Sequence, residues 1–98
     1  MKISDWQKET HQNAVAHGWY DGDTRGIPEL LCLIHSEVSE ALEAHRENDW
    51  DGFKEELADV AIRLFDMAEY LNIDLEAEIA KKHETNKARP YRHGNKVC

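Results

Sequence analysis

Glu37 and Glu40 stand three positions apart, and Glu56 and Asp59 repeat that spacing after a gap of fifteen residues. Three positions is close to one helical turn. Each pair therefore shares a helix face, with Cβ atoms about 5–6 Å apart. If two such helices face each other, four carboxylates meet at one cleft. Crowded carboxylates must be protonated, paired with bases or bound to a metal. Arg63 is the one base near both pairs on these faces, and it can offset a single charge. Oxygen-only ligands suit a hard cation, Mg²⁺ or, as a substitute, Mn²⁺.

The elements that must position these acids are helices. Ser4 and Gln7 have capping-box spacing, which predicts a first helix over 4–17 with a thin apolar stripe of Ile3, Trp6 and Ala14. Residues 18–27 hold three glycines and read as a loop of ligand-binding length. Pro28 opens a second helix to about Arg46, carrying Leu30, Leu31, Leu33, Ile34, Val38, Ala41 and Leu42 at helical spacing. Leu30, Leu33, Glu37, Glu40 and Ala44 form one continuous row, so the acids extend the inward-facing leucines. After a break at 47–50, Asp51 is the expected cap of a third helix. Its apolar stripe is Phe53, Leu57, Val60, Ala61, Leu64, Phe65, Ala68 and Leu71. Asn72 suits the exit, Asp74 caps a fourth helix over roughly 75–87, and Pro90 and Gly94 forbid its continuation. The expected fold is all-α: a helical bundle built on two long antiparallel helices.

Ninety-eight residues make one domain, 1–98, with 88–98 a basic tail. The apolar content supports a core, but a thin one, so completion of the bundle by a homodimer or a dimer of dimers is expected. Residues 1–80 carry 6 Lys+Arg against 19 Asp+Glu, whereas 81–98 carry 6 against 1. An acidic body argues against a nucleic-acid polymer as partner, and the basic end suits anions. No apolar run is long enough for a membrane span, and the start lacks the stretch of a secretory signal. Cys32 and Cys98 form neither a disulfide framework nor a metal knuckle, so a cytoplasmic location is expected.

The paired motif, ExxE…ExxD, sits in the segments HSEVSEALEAHR and DWDGFKEELADVAIRLFDMAEYLNIDLEAEI, followed by KKHETNKARPYRHGNK. Over residues 28–95 this text resembles the MazG-like, all-α nucleoside triphosphate pyrophosphohydrolases. Several members open the first motif with two acids; Ser36 stands at that position here. The resemblance implies hydrolysis of an NTP or dNTP to the monophosphate and pyrophosphate. Glu37, Glu40, Glu56 and Asp59 would hold Mg²⁺, which bridges the triphosphate and polarises its oxygens. A carboxylate not fully engaged by metal can accept the proton of the attacking water, and Glu40 is the preferred candidate. A related enzyme cleaving a phosphoribosyl nucleotide and a non-catalytic helical interaction module are the alternatives.

A triphosphate needs further positive charge. The resemblance assigns Lys82, Asn86 and Arg89 to substrate contact, with Tyr91, Arg92 and His93 following. Arginine forks onto phosphate, and lysine acts as a point charge. Trp19 in the glycine-rich loop is the expected stacking surface for a base, with Tyr20 and Trp6 as further candidates; Trp50 is expected to pack at a helix junction. The six histidines form no HxxxH or HExxH pattern, which argues against zinc, and neither acid pair has the Glu-x-x-His of a di-iron bundle. His35 is expected at the surface or in helix packing, Asp66 in a solvated position with an outer-shell acid as the alternative, and Cys32 in the core.

Overall fold

The computed structural model describes residues 1–22 and 25–91 of the chain. Arg92, His93, Lys96 and Cys98, and with them most of the basic tail, lie outside the described residues. Among the described residues all regular structure is helical: α1 (Ile3–Ala16), α2 (Ile27–Arg46), α3 (Trp50–Tyr70) and α4 (Leu75–Lys87). None of these helices is long and apolar enough to cross a membrane.

The helix ends follow from their capping residues. Helix α2 ends in a turn where Asn48 takes a left-handed φ of 57°. There the Asp49 N–H donates to the Ala44 carbonyl and the Asn48 N–H to that of His45. Asn72 has the same φ of 57° after α3, with Ile73 N–H donating to Ala68 and Asn72 N–H to Glu69. Asparagine tolerates this conformation, so each helix closes on a Schellman turn without glycine. Helix α1 closes the same way through Gly18, at φ 80°. Trp19 N–H then donates to the Ala14 carbonyl, which directs the chain back along α1.

Two predicted caps are corrected. Asp49, not Asp51, caps α3: its Oδ1 accepts from Gly52 N–H at 2.9 Å. A Cβ at Gly52 would collide with that carboxylate. At α1 the cap is Lys2 rather than Ser4. Its partner is Asp5, whose Oδ2 accepts from Lys2 N–H at 2.9 Å. Gln7 is thereby released from capping and is buried instead. Its Nε2 donates to the Ile73 carbonyl at 2.8 Å, and its Oε1 accepts from Leu75 N–H at 3.2 Å. One amide thus ties α1 to the turn between α3 and α4.

Helix α3 packs against α2 on one side and α1 on the other, and α4 touches α1 lightly. The apolar core is small. Leu30, Ala41, Ala44 and Ala68 are the buried hydrophobic residues among those described. Several residues expected inside are not: Val38, Leu42 and Leu57 are about half exposed, and Leu31 and Leu64 are only slightly less so. Cys32 is exposed as well, because its position on α2 points away from α3. The radius of gyration is 16.0 Å, against about 13 Å for a compact chain of this length.

Candidate metal centre

The buried stripe of α2 runs Leu30, Glu37, Ala41, Ala44, so a carboxylate occupies a core position. Glu37 is only 8% exposed. A buried anion needs a partner, and Arg63 of α3 supplies it: its Nε donates to Glu37 Oε1 at 2.8 Å. That bond holds the Glu37 carboxyl below its ordinary range, against the opposing effect of burial.

Glu56, two turns before Arg63 on α3, has no such partner. It is half-buried, and its Oε2 is shut off from solvent without a hydrogen-bond donor. Its carboxyl is pushed up to about 7, first by burial and then by the adjoining carboxylates of Glu40, Glu37 and Asp59. All of these neighbours are acceptors. A proton or a cation would satisfy the shielded oxygen.

Oxygens of Glu37, Glu56 and Asp59 lie within 4.8 Å of one another. Asp59 is exposed one turn beyond Glu56 and faces the same space. Glu40 is exposed one turn beyond Glu37, beside Glu56. The two i,i+3 pairs therefore converge as their spacing requires. Three acids form the tight set, and Glu40 stands at its rim. The donors are hard oxygens, and one of them is shielded and lacks a donor. This set fits a hard divalent cation and gives no foothold to a soft one.

Glu37 and Asp59, but neither Glu40 nor Glu56, line a cleft of about 370 Å³ beside α1 and α3, together with Thr10, Asn13, His17, Trp19, Arg63 and Asp66 among others. Trp19 reaches it because the Gly18 turn folds the loop back. Its ring is already engaged: the Arg25 guanidinium lies 4.2 Å and that of Arg63 4.9 Å from its centroid. Arg25 is fixed in turn, donating from Nε to the Trp19 carbonyl at 2.6 Å and pairing with Glu29. Trp6 is exposed and Tyr20 is held elsewhere, so of the three stacking candidates only Trp19 lines the cleft. Trp50 stacks on Phe53, 5.2 Å between ring centres, at the α2–α3 turn as expected for packing, but it remains 64% exposed.

Asp66 departs from expectation. It is buried, and it accepts from the Tyr20 hydroxyl at 2.8 Å, while His11 Nδ1 lies 2.8 Å from its other oxygen. Tyr20 also stacks on Tyr70 at 4.5 Å, with His11 edge-on. The signal was present in the sequence as the seven-residue step from Asp59 to Asp66. Its partners come from elements 46 and 55 positions away, which periodicity within one helix cannot reveal.

Lys82, Asn86 and Arg89 lie on or just past α4, are exposed, and are not among the residues lining the cleft. Compared with known proteins, the chain matches no family model, no curated protein and no solved structure.

Proposed function

We propose that the chain is a Mg²⁺-dependent nucleoside triphosphate pyrophosphohydrolase, acting on a free NTP or dNTP. One observation carries the reading: Glu56 Oε2 is shielded, has no donor, and is surrounded by other carboxylates. An unrelieved cluster of that kind is costly in a scaffold and useful in a cation site.

Glu37, Glu56 and Asp59 would hold the cation, with Glu40 at the rim completing the set. When bound, Mg²⁺, or Mn²⁺ in its place, supplies charge neutralisation and Lewis-acid polarisation of phosphoryl oxygens. The water oxygen attacks the α-phosphorus, the bond to the bridging oxygen breaks, and pyrophosphate leaves. Glu40 accepts the proton of that water, because it is exposed and stands outside the tight set of three. Arg63 keeps Glu37 ionised and turned inward. Trp19, with its guanidinium neighbours, presents a flat cationic surface on which a base could stack.

The basic residues require a second copy of the chain. Lys82, Asn86 and Arg89 are assigned to the triphosphate, yet α4 stands away from the cleft of its own protomer. In a homodimer, or a dimer of dimers, built on the exposed apolar ridge of α2 and α3, they reach the partner's cleft. The ridge consists of Leu31, Val38 and Leu42 on α2 and of Leu57 and Leu64 on α3. Such an apolar face is what a helical bundle buries against another layer.

The test is a panel of NTPs, dNTPs and phosphoribosyl-ATP with Mg²⁺, read by product identification. Monophosphate plus pyrophosphate from a nucleoside triphosphate is expected. Glu40→Gln and Glu56→Gln should abolish that turnover while circular dichroism stays unchanged. Release from phosphoribosyl-ATP alone would move the assignment to that related reaction. No turnover and no Mg²⁺ binding would leave a helical interaction module.

A further inference from the structure

Arg63 occupies a position with two allegiances. Its Nε is bonded to Glu37, an acid of the cation set, and its guanidinium lies over Trp19, a residue of the ligand cleft. No other described base is paired with any of the four acids. Among the described residues Arg63 is thus the internal counter-ion of the cluster. Glu37 Oε1 accepts from Arg63, so a divalent cation that draws on the same carboxylate weakens its hold on the guanidinium. The shielded Glu56 oxygen, which lacks any donor, shows where the incoming charge is needed.

We propose that Arg63 is an exchangeable counter-ion: it pairs with Glu37 when the acids are empty and turns to an anionic phosphate ligand when a divalent cation takes Glu37. This rests on the cation-binding reading above and adds a positioning residue to it. The exchange follows from charge. A divalent ion among the acids repels the guanidinium and weakens its hold on Glu37. The freed group is already inside the cleft, on the face of Trp19, and its planar fork matches phosphate oxygens. Cation occupancy and anion binding are thereby coupled through one side chain, and Trp19 registers the exchange.

The experiment uses the full chain with the exposed Trp6 and Trp50 replaced by Phe, so that Trp19 is the sole indole. Mg²⁺ binding is followed by calorimetry and by Trp19 emission, with and without Arg63→Met. The Arg63-bearing chain should bind Mg²⁺ with a change in emission. The R63M chain should bind Mg²⁺ about tenfold more tightly, since loss of a charged hydrogen bond is of that size, with little emission change. At saturating Mg²⁺, R63M should bind inorganic pyrophosphate about tenfold more weakly. Equal or weaker Mg²⁺ affinity in R63M would overturn the exchange, and so would Mg²⁺ heat without an emission change in the Arg63-bearing chain. No Mg²⁺ heat in either chain would sink the cation reading itself, and the exchange with it. If R63M does not fold, the emission titration of the Arg63-bearing chain decides alone.

Discussion

The Tyr20 hydroxyl donates to Asp66 Oδ2 at 2.8 Å and so fastens the loop after α1 to the C-terminal part of α3. Burial, reinforced by that bond, holds the Tyr20 phenol above its ordinary pKa. Tyr20→Phe keeps the ring and its stacking on Tyr70 but removes the donor to a buried carboxylate. The expected loss is about 1–3 kcal/mol of unfolding free energy, measured by urea denaturation. An unchanged midpoint would mean that His11 alone satisfies Asp66.

Glu56 makes stability depend on pH. Its carboxyl in the folded chain, at about 7, lies above the ordinary 4.5, so the native state holds that proton more tightly than the unfolded chain does. In chelator-treated buffer its contribution is therefore full below about 4.5 and is lost as pH rises to about 7. Glu37 acts in the opposite sense: its pairing with Arg63 contributes above the ordinary carboxyl value and is lost on acidification. Urea midpoints across this range should fall toward neutrality in the parent chain and stay flatter in Glu56→Gln. Saturating Mg²⁺ should restore the parent at neutral pH. A parent and an E56Q variant with parallel profiles would refute the assignment.

Gln7 is the next target. Its amide serves both Ile73 and Leu75, and it is 2% exposed. Gln7→Leu fills much of the same space but leaves the Ile73 carbonyl and the Leu75 N–H, both in part-buried bonds, without their side-chain partner. The expected cost is about 1–3 kcal/mol. Amide exchange should accelerate first at the start of α4. Acceleration spread evenly over α1 and α3 instead would argue against a local clamp.

The apolar ridge predicts assembly. Sedimentation of the parent chain should give at least a dimer. Val38→Glu or Leu57→Lys should shift it toward the monomer, because a charge buried in that interface would be unpaired. The same variants should keep Mg²⁺ binding, since the acids lie on the other flank of the helices, and lose affinity for nucleotide. A monomeric parent would remove the argument for Lys82, Asn86 and Arg89 acting across protomers.

Much of this architecture was legible in the sequence because it is written at short range. The helix count, the Asn72 exit, the Asp74 cap and the convergence of the two acid pairs all follow from spacing and from local capping chemistry. Where two local solutions competed, the reading failed. Ser4 and Asp51 are good caps by type, but Lys2 with Asp5 and Asp49 with Gly52 each close the end two residues earlier. The core was overestimated for another reason. Leu31, Val38, Leu42, Leu57 and Leu64 have helical periodicity, and periodicity says that a face is apolar without saying what covers it. The polar ties of Gln7, His11, Tyr20 and Asp66 were invisible because each joins residues more than forty positions apart.

The Gly18 turn sets the hand of the path that carries the indole of Trp19 to the acids. With φ at 80°, and with Asp21 Oδ2 3.0 Å from where a Cβ would stand, this place suits the one achiral amino acid. At that φ a residue with a Cβ is strained and crowds Asp21, so a substitution there would disturb the path that carries Trp19 to the cleft. A change at a position that lines no part of the cleft can therefore rearrange the residues that do.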